Sequence, residues 1–220
     1  MHPNSAFHTA TEAQNLAFAR TRGFGQIGIN GSYGPLVSHV PFVIEEAGDA
    51  VLLHLVRSNP ILTALDQPLP ALLAVSGPDG YVSPDWYGTP DQVPTWNYVA
   101  VHLRGSLSRL PDTRLGEVLD RLTDEYERRL APKTPWTAGK MDPQVRARMM
   151  RAIVPVRLAI EEVRGTWKLS QNKPDDARLG AAAAIATGTN TGQELAALAE
   201  LMREFRPDPD EAVDSSSGQS

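Results

Sequence analysis

The sequence predicts an α+β, mainly β protein built on an antiparallel barrel, and three features carry that expectation. Between Phe24 and Leu107 short apolar runs follow one another at turn-length intervals, as in antiparallel strands rather than strands alternating with helices. Asn30-Gly31-Ser32-Tyr33-Gly34 is a strong hairpin turn. A single long amphipathic helix then interrupts the strands before a final apolar run, Val154–Val163.

Each element follows in order. Thr9 to Gly23 reads as a first helix, with Thr9 and Glu12 at capping-box spacing and Gly23 as its stop. Phe24–Ile29 enters the hairpin, Leu36–Ile44 returns, and a turn around Gly48-Asp49 leads to Ala50–Val56. Ala71–Ser76 is the next strand, ended by Gly77-Pro78-Asp79-Gly80. Ser83-Pro84 then starts a short helical turn through Trp86-Tyr87. Val93–Leu107 is a strand. In the helix after it, Leu115, Val118, Leu119, Leu122, Tyr126 and Leu130 form one apolar stripe. A loop over Pro132–Asp142 and a short basic helix over Pro143–Ala152 precede Val154–Val163, which ends near Arg164-Gly165. Asn172 is a candidate N-cap for a helix over Lys173–Ala186, and Thr191 and Glu194 box a last helix through Phe205. From Arg206 to Ser220 the chain is rich in Pro, Asp, Ser and Gly and reads as disordered.

Composition narrows the function. The 220 residues are 41% hydrophobic and 21% charged, ordinary for a soluble globular chain. With no cysteine there is no thiolate nucleophile and no Cys-ligated metal. A formal net charge of −5 argues against a broad electrostatic hold on nucleic acid. No run is long enough to span a bilayer, and the opening residues lack a signal-peptide pattern, so the expected location is cytoplasmic.

Three segments concentrate chemistry. VPTWNYVAVHLRG begins with Thr95, Trp96, Asn97 and Tyr98, groups that stack and hydrogen-bond, and continues as an apolar strand. Alternation puts Thr95, Asn97, Val99, Val101 and Leu103 on one face and Trp96, Tyr98, Ala100, His102 and Arg104 on the other. Such an entry suits the mouth of a site for a flat heteroaromatic ligand, or a core strand whose aromatics fill volume. HLVRSNP places Arg57, Ser58 and Asn59 at a strand end, where a planar guanidinium and a hydroxyl can hold a phosphate or simply shape a surface turn. WKLSQN gathers Lys168, Ser170, Gln171 and Asn172, suited to a carbonyl-rich ring edge or to helix capping. His39, His54 and His102 lie on different strands, and core or interface roles outweigh a metal site. No P-loop, HExxH or nucleophile elbow is present.

Together VSHVPF, HLVRSNP, SGPDGYVSPDWY, VPTWNYVAVHLRG and KLSQNK, in this order, resemble the PaiB-like family of FMN-binding negative transcriptional regulators. The resemblance covers the chain from about Phe24 to Asp176. It implies a split β-barrel of the pyridoxamine-phosphate-oxidase-like FMN-binding type with peripheral helices, built as a homodimer with flavin at the subunit interface. On that frame Arg57 and Ser58, with Asn59 beside them, become phosphate candidates. Thr95, Trp96, Asn97 and Tyr98 become the ring wall, and Lys168, Ser170, Gln171 and Asn172 the polar edge. A cation such as Lys168 or Arg57 near the pyrimidine pole would favour reduced, anionic flavin. The expected organisation is a domain over 1–176 with a helical insertion at 113–152, a helical extension over 177–205 and the tail 206–220.

The implied function is transcriptional regulation or flavin-dependent sensing. The charge does not support direct DNA contact, and no helix-turn-helix pattern is visible. The alternative is a flavin-dependent oxidoreductase acting on a small molecule, for which His39, Tyr81 or Tyr98 would be the acid or base. A haem-handling barrel using His54 or His102 ranks last.

Overall fold

The computed structural model describes residues 2–188 and 193–205. Seven strands form one antiparallel sheet: β1 (Phe24–Gly31), β2 (Gly34–Pro41), β3 (Val43–Ile44), β4 (Ala50–Val56), β5 (Leu69–Val82), β6 (Thr95–Arg109) and β7 (Ile153–Lys168). The helices are α1 (Glu12–Arg22), α2 (Pro60–Ala64), α3 (Leu115–Arg128), α4 (Pro143–Met150), α5 (Asp175–Ala186) and α6 (Leu195–Glu204). The chain divides into two compact units. One comprises 18–75 and 102–163; the other comprises the N-terminal residues to 17, then 76–101, and the chain from 164 onward.

The first of these holds the barrel. Strand order is β2-β1-β5-β6-β7-β4-β3, so β2 and β3 are the two ends of the sheet. In the chain only Phe42 separates them. Laid flat, seven strands about 4.8 Å apart would hold the end strands roughly 29 Å from each other. Two residues of backbone reach no more than about 7 Å. The sheet must therefore curl until its ends meet, and they meet through covalent bonds at Phe42 rather than through a ladder. This is the split barrel.

The seam is well anchored. Phe42 is 1% exposed, and its N–H donates to the Gly23 carbonyl at 2.9 Å. The Tyr126 hydroxyl, on α3, reaches the carbonyl oxygens of both Gly23 and Phe42. Burial raises the Tyr126 pKa, so the group stays a protonated donor. α3 turns Val118 and Leu122 onto Leu52 of β4, with Val43, Leu110 and Tyr126 packed around them. Its predicted stripe holds at Leu115, Val118 and Leu122, while Leu130 lies beyond the helix and is exposed. Arg20 donates to the Ile44 and Glu45 carbonyls at 2.7 and 2.6 Å, tying α1 to the end of β3.

Several boundaries differ from the sequence reading. The hairpin turn is Ser32-Tyr33, with Gly31 paired to Gly34. The N-terminal capping box is Thr11 with Gln14, not Thr9 with Glu12: the Gln14 N–H donates to Thr11 Oγ1, and the Thr11 N–H to Gln14 Oε1. β5 does not stop at Gly77-Pro78-Asp79-Gly80 but runs through it to Val82. β7 likewise passes Arg164-Gly165. In both places glycine serves packing rather than turning. A Cβ at Gly165 would lie 1.9 Å from Asn15 Oδ1, and one at Gly80 would lie 2.7 Å from Leu195 Cδ2. Asn172 is exposed and does not cap α5, which starts later, at Asp175 after Pro174. Thr191 and the tail 206–220 lie outside the described residues.

Replacing Phe42 by Ala is expected to lower unfolding free energy by about 3–5 kcal/mol in urea titrations, the range for emptying a buried aromatic site. Tyr126→Phe keeps the ring and removes only the hydroxyl that bridges the seam, and should cost about 1–2 kcal/mol. Equal, negligible effects of both would show that the seam does not carry the barrel.

Candidate functional site

In the unit that holds the start of β6, alternation runs as the sequence implies. Asn97, Val99 and Val101 are buried, Thr95 is half-buried, and Trp96 on the opposite face is 43% exposed. Tyr98 shares that face and is half-buried, and burial raises its pKa.

Lys168, at the end of β7, reaches this strand entry. Its Nζ donates to Thr95 Oγ1 and, at 2.9 Å, to the Trp96 carbonyl, and it stands 5.9 Å from the centre of the Phe7 ring. Both acceptors are neutral oxygens, so no carboxylate quenches the charge in these contacts. Partial burial lowers the Lys168 pKa, since an ammonium loses hydration there. A half-buried cation on neutral oxygens at the entry of β6 is an arrangement that electron-rich carbonyl edges can complete.

Asn97 and Ser170 meet inside. The Asn97 amide donates to Ser170 Oγ at 2.9 Å and to the Met202 sulfur of α6 at 3.4 Å, while its Oδ1 has no partner among the described residues. Tyr87 joins them, its hydroxyl 2.7 Å from Ser170 Oγ. Burial raises the Tyr87 pKa, partly offset by that hydrogen bond. Ser170 holds φ +63°, a conformation uncommon for a serine. Gln171 turns toward the chain's start: its Nε2 donates to the Ala6 carbonyl at 3.0 Å, and its Oε1 accepts from the Leu169 N–H. Asn172 is exposed.

Arg57, Ser58 and Asn59 belong to the other unit, at the exit of β4. Arg57 donates to the carbonyls of Arg151 (2.9 Å) and Ile153 (3.2 Å) and pairs with Asp112 at 3.2 Å, its side chain half exposed. These contacts fix the guanidinium plane at the surface. Ser58 is exposed beside it. The Asn59 side chain is engaged by the fold: Oδ1 accepts from the Ile61 N–H to cap α2, and Nδ2 donates to Ser38 Oγ at 2.7 Å.

Three residues near this chemistry escaped the sequence reading. Met202 lies 105 residues from Asn97, and Tyr87 lies 83 residues from the Ser170 that it meets, so neither contact has a local signal. Asp79 accepts the Trp96 indole N–H at 3.0 Å, and the GPDG run around it reads as a turn. Among the histidines, His39 stacks on Phe24 at 6.5 Å. His54 and His102 each have a buried Nδ1 with no partner among the described residues. Burial lowers both pKa values, with Arg104 contributing at His102. No cluster of three or more His, Cys, Asp or Glu side chains placed to hold a metal occurs among the described residues. No described helix is long and apolar enough to cross a membrane.

Residues 1–162 match the family model described as "Putative FMN-binding domain". The chain is 28% identical over 170 residues to the Bacillus subtilis protease synthase and sporulation protein PAI 2, covering 76% of this chain and 81% of that protein. Among solved structures it is similar to the FAD and heme binding protein from Mycobacterium smegmatis, with TM-score 0.53 and 19% identity over 81% of this chain and 79% of that one. It is also similar to the flavocytochrome Anf3 from Azotobacter vinelandii, with TM-score 0.50 and 19% identity over 75% and 74%. These structural likenesses show the fold alone, the split β-barrel described above.

The histidines give a pH dependence with a definite sign. Their folded pKa values lie below the ordinary 6.5, so the unfolded chain takes up protons first as pH falls. The stability from keeping both imidazoles neutral is complete above 6.5 and is lost as pH falls toward the depressed folded values. A His54→Phe/His102→Phe variant should lose less melting temperature than wild type between about pH 7 and pH 5. Identical slopes would refute the assignment.

Proposed function

The chain belongs to the FMN-binding domain family, with FMN as the cofactor that membership assigns to it, and from that premise we propose a homodimeric flavoprotein that senses or regulates through its flavin. The observation that carries this reading is Lys168, a half-buried cation held on two neutral oxygens, Thr95 Oγ1 and the Trp96 carbonyl, at the entry of β6. The residues present suit FMN chemically. In one unit Arg57, its plane fixed by two backbone carbonyls and its charge shared with Asp112, and Ser58 suit a phosphate; in the other, Trp96 and Tyr98 suit a ring face. Lys168 suits the pyrimidine carbonyl edge.

Bound FMN supplies reversible electron or hydride transfer. The chain's own part is to bind, orient and bias it: Lys168 stabilises negative charge at the ring edge, and partial burial strengthens that effect by excluding water. The resemblance to PaiB-like regulators supports a regulatory role, and the relative PAI 2 is named for protease synthesis and sporulation. With a net charge of −5, an effect on transcription is better served by a protein or small-molecule partner than by broad DNA contact. The second reading is a flavin-dependent reductase. Lys168 favours it equally, because a cation that stabilises reduced flavin also suits turnover.

FMN and riboflavin titrations separate the parts. Arg57→Ala should weaken FMN binding by about tenfold or more and leave riboflavin, which lacks the phosphate, nearly unchanged. Lys168→Gln should lower the potential of bound flavin by on the order of 30 mV, since the reduced anion loses its cation. A wild-type protein that takes up neither flavin would overturn the proposal. Turnover of a nicotinamide cofactor would select the reductase reading.

A further inference from the structure

An exposed indole on a strand ordinarily samples several rotamers. Trp96, 43% exposed, is instead held at two points. Its Nε1–H donates to Asp79 Oδ1 at 3.0 Å, and the Tyr81 ring stands 6.1 Å away, centre to centre, at 69°. Asp79 and Tyr81 are two residues apart on β5, so both project from one face toward the neighbouring β6.

This stretch of β5 is itself fixed from behind. Gly80, between the two, faces α6 so closely that a Cβ would lie 2.7 Å from Leu195 Cδ2 and 2.9 Å from Leu198 Cδ2. The Tyr81 N–H donates to Gln193 Oε1 at 3.2 Å, just ahead of that helix. A line of contacts therefore runs from α6 through the backbone of β5 to Asp79 and Tyr81, and from them to the indole. On its other side the Trp96 carbonyl receives Lys168.

We infer that Asp79 and Tyr81 are positioning residues that hold Trp96 as a preformed stacking platform for the flavin ring. The inference rests on the flavin reading above. Its physical basis is that a large side chain already fixed before binding loses little freedom when a ring stacks on it. Offset stacking then adds to the apolar area covered. Asp79 acts by aim rather than by charge: the indole N–H needs one oxygen acceptor, and an amide oxygen in the same place serves as well.

The test is an FMN titration followed by flavin fluorescence on the full-length protein and its variants, with thermal melts to confirm folding. Asp79→Asn keeps the acceptor and should bind within about twofold of wild type. Asp79→Ala and Trp96→Phe each break the indole contact and should weaken binding by about fivefold. Combined in one chain they should do no more than either alone, because both remove the same interaction. Tyr81→Phe should resemble wild type, since it retains the ring. Wild-type binding by Asp79→Ala would overturn the role, as would a loss in Asp79→Asn equal to that in Asp79→Ala, or additive losses in the double variant. If wild type takes up no FMN, the flavin reading falls and this role with it. FMN binding that is indifferent to Asp79 removes the role alone.

Discussion

Everything in the barrel depends on one connection that is too short for a flat sheet. Only Phe42 lies between the two end strands, so the five strands between them must bend round to meet it. The closing force is not a ladder of hydrogen bonds but a buried aromatic ring and a backbone N–H paired to Gly23. A tyrosine hydroxyl arriving from α3 adds to these at the same point. The peripheral helix is thus part of the closure. Its apolar stripe seats it on β4, and that seating aims Tyr126 at the seam.

Much of this was legible in the sequence because strand and helix periodicities are local. β4 has the bounds its apolar run suggests, and the face assignment of β6 follows from alternation alone. The misreadings share a cause. Gly77, Gly80 and Gly165 look like turn residues when only neighbours in sequence are considered, yet two of them are small because Asn15 and the leucines of α6 occupy the space a side chain would need. Those partners are far along the chain, and nothing near the glycines announces them. The same limitation hid the capping shift from Thr9 to Thr11, since either threonine has a suitable residue three positions later.

The candidate site was legible in its residue types and less so in their division of labour. Lys168 and Trp96 are where stacking and charge can serve a ring. Asn97, chemically just as plausible, lies in the interior, where Ser170 and Met202 take its amide hydrogens. Asn59 is similarly occupied with capping α2 and holding Ser38. Alternation separates Asn97 from Trp96 from the sequence alone, because odd and even positions of a half-buried strand face different surroundings. It could not have shown that Asp79 holds the indole, which requires knowing that β5 continues through a Gly-Pro-Asp-Gly run.

The pairing of β4 with β7 has a consequence for how the protein comes into being. Ala50 lies opposite Ala159, so the two strands that complete one side of the barrel are made about a hundred residues apart. The hairpin of β1 and β2 needs only a two-residue turn and can form while the ribosome is still at work on the rest. Until β7 emerges, β4 has no partner on that side, and its run of Val51, Leu52, Leu53 and Leu55 is without the cover that it has in the native state. Contacts so distant in sequence slow folding, and an apolar strand edge left waiting is the surface on which chains aggregate. β4 is therefore the strand that waits longest in synthesis for the neighbour that covers it.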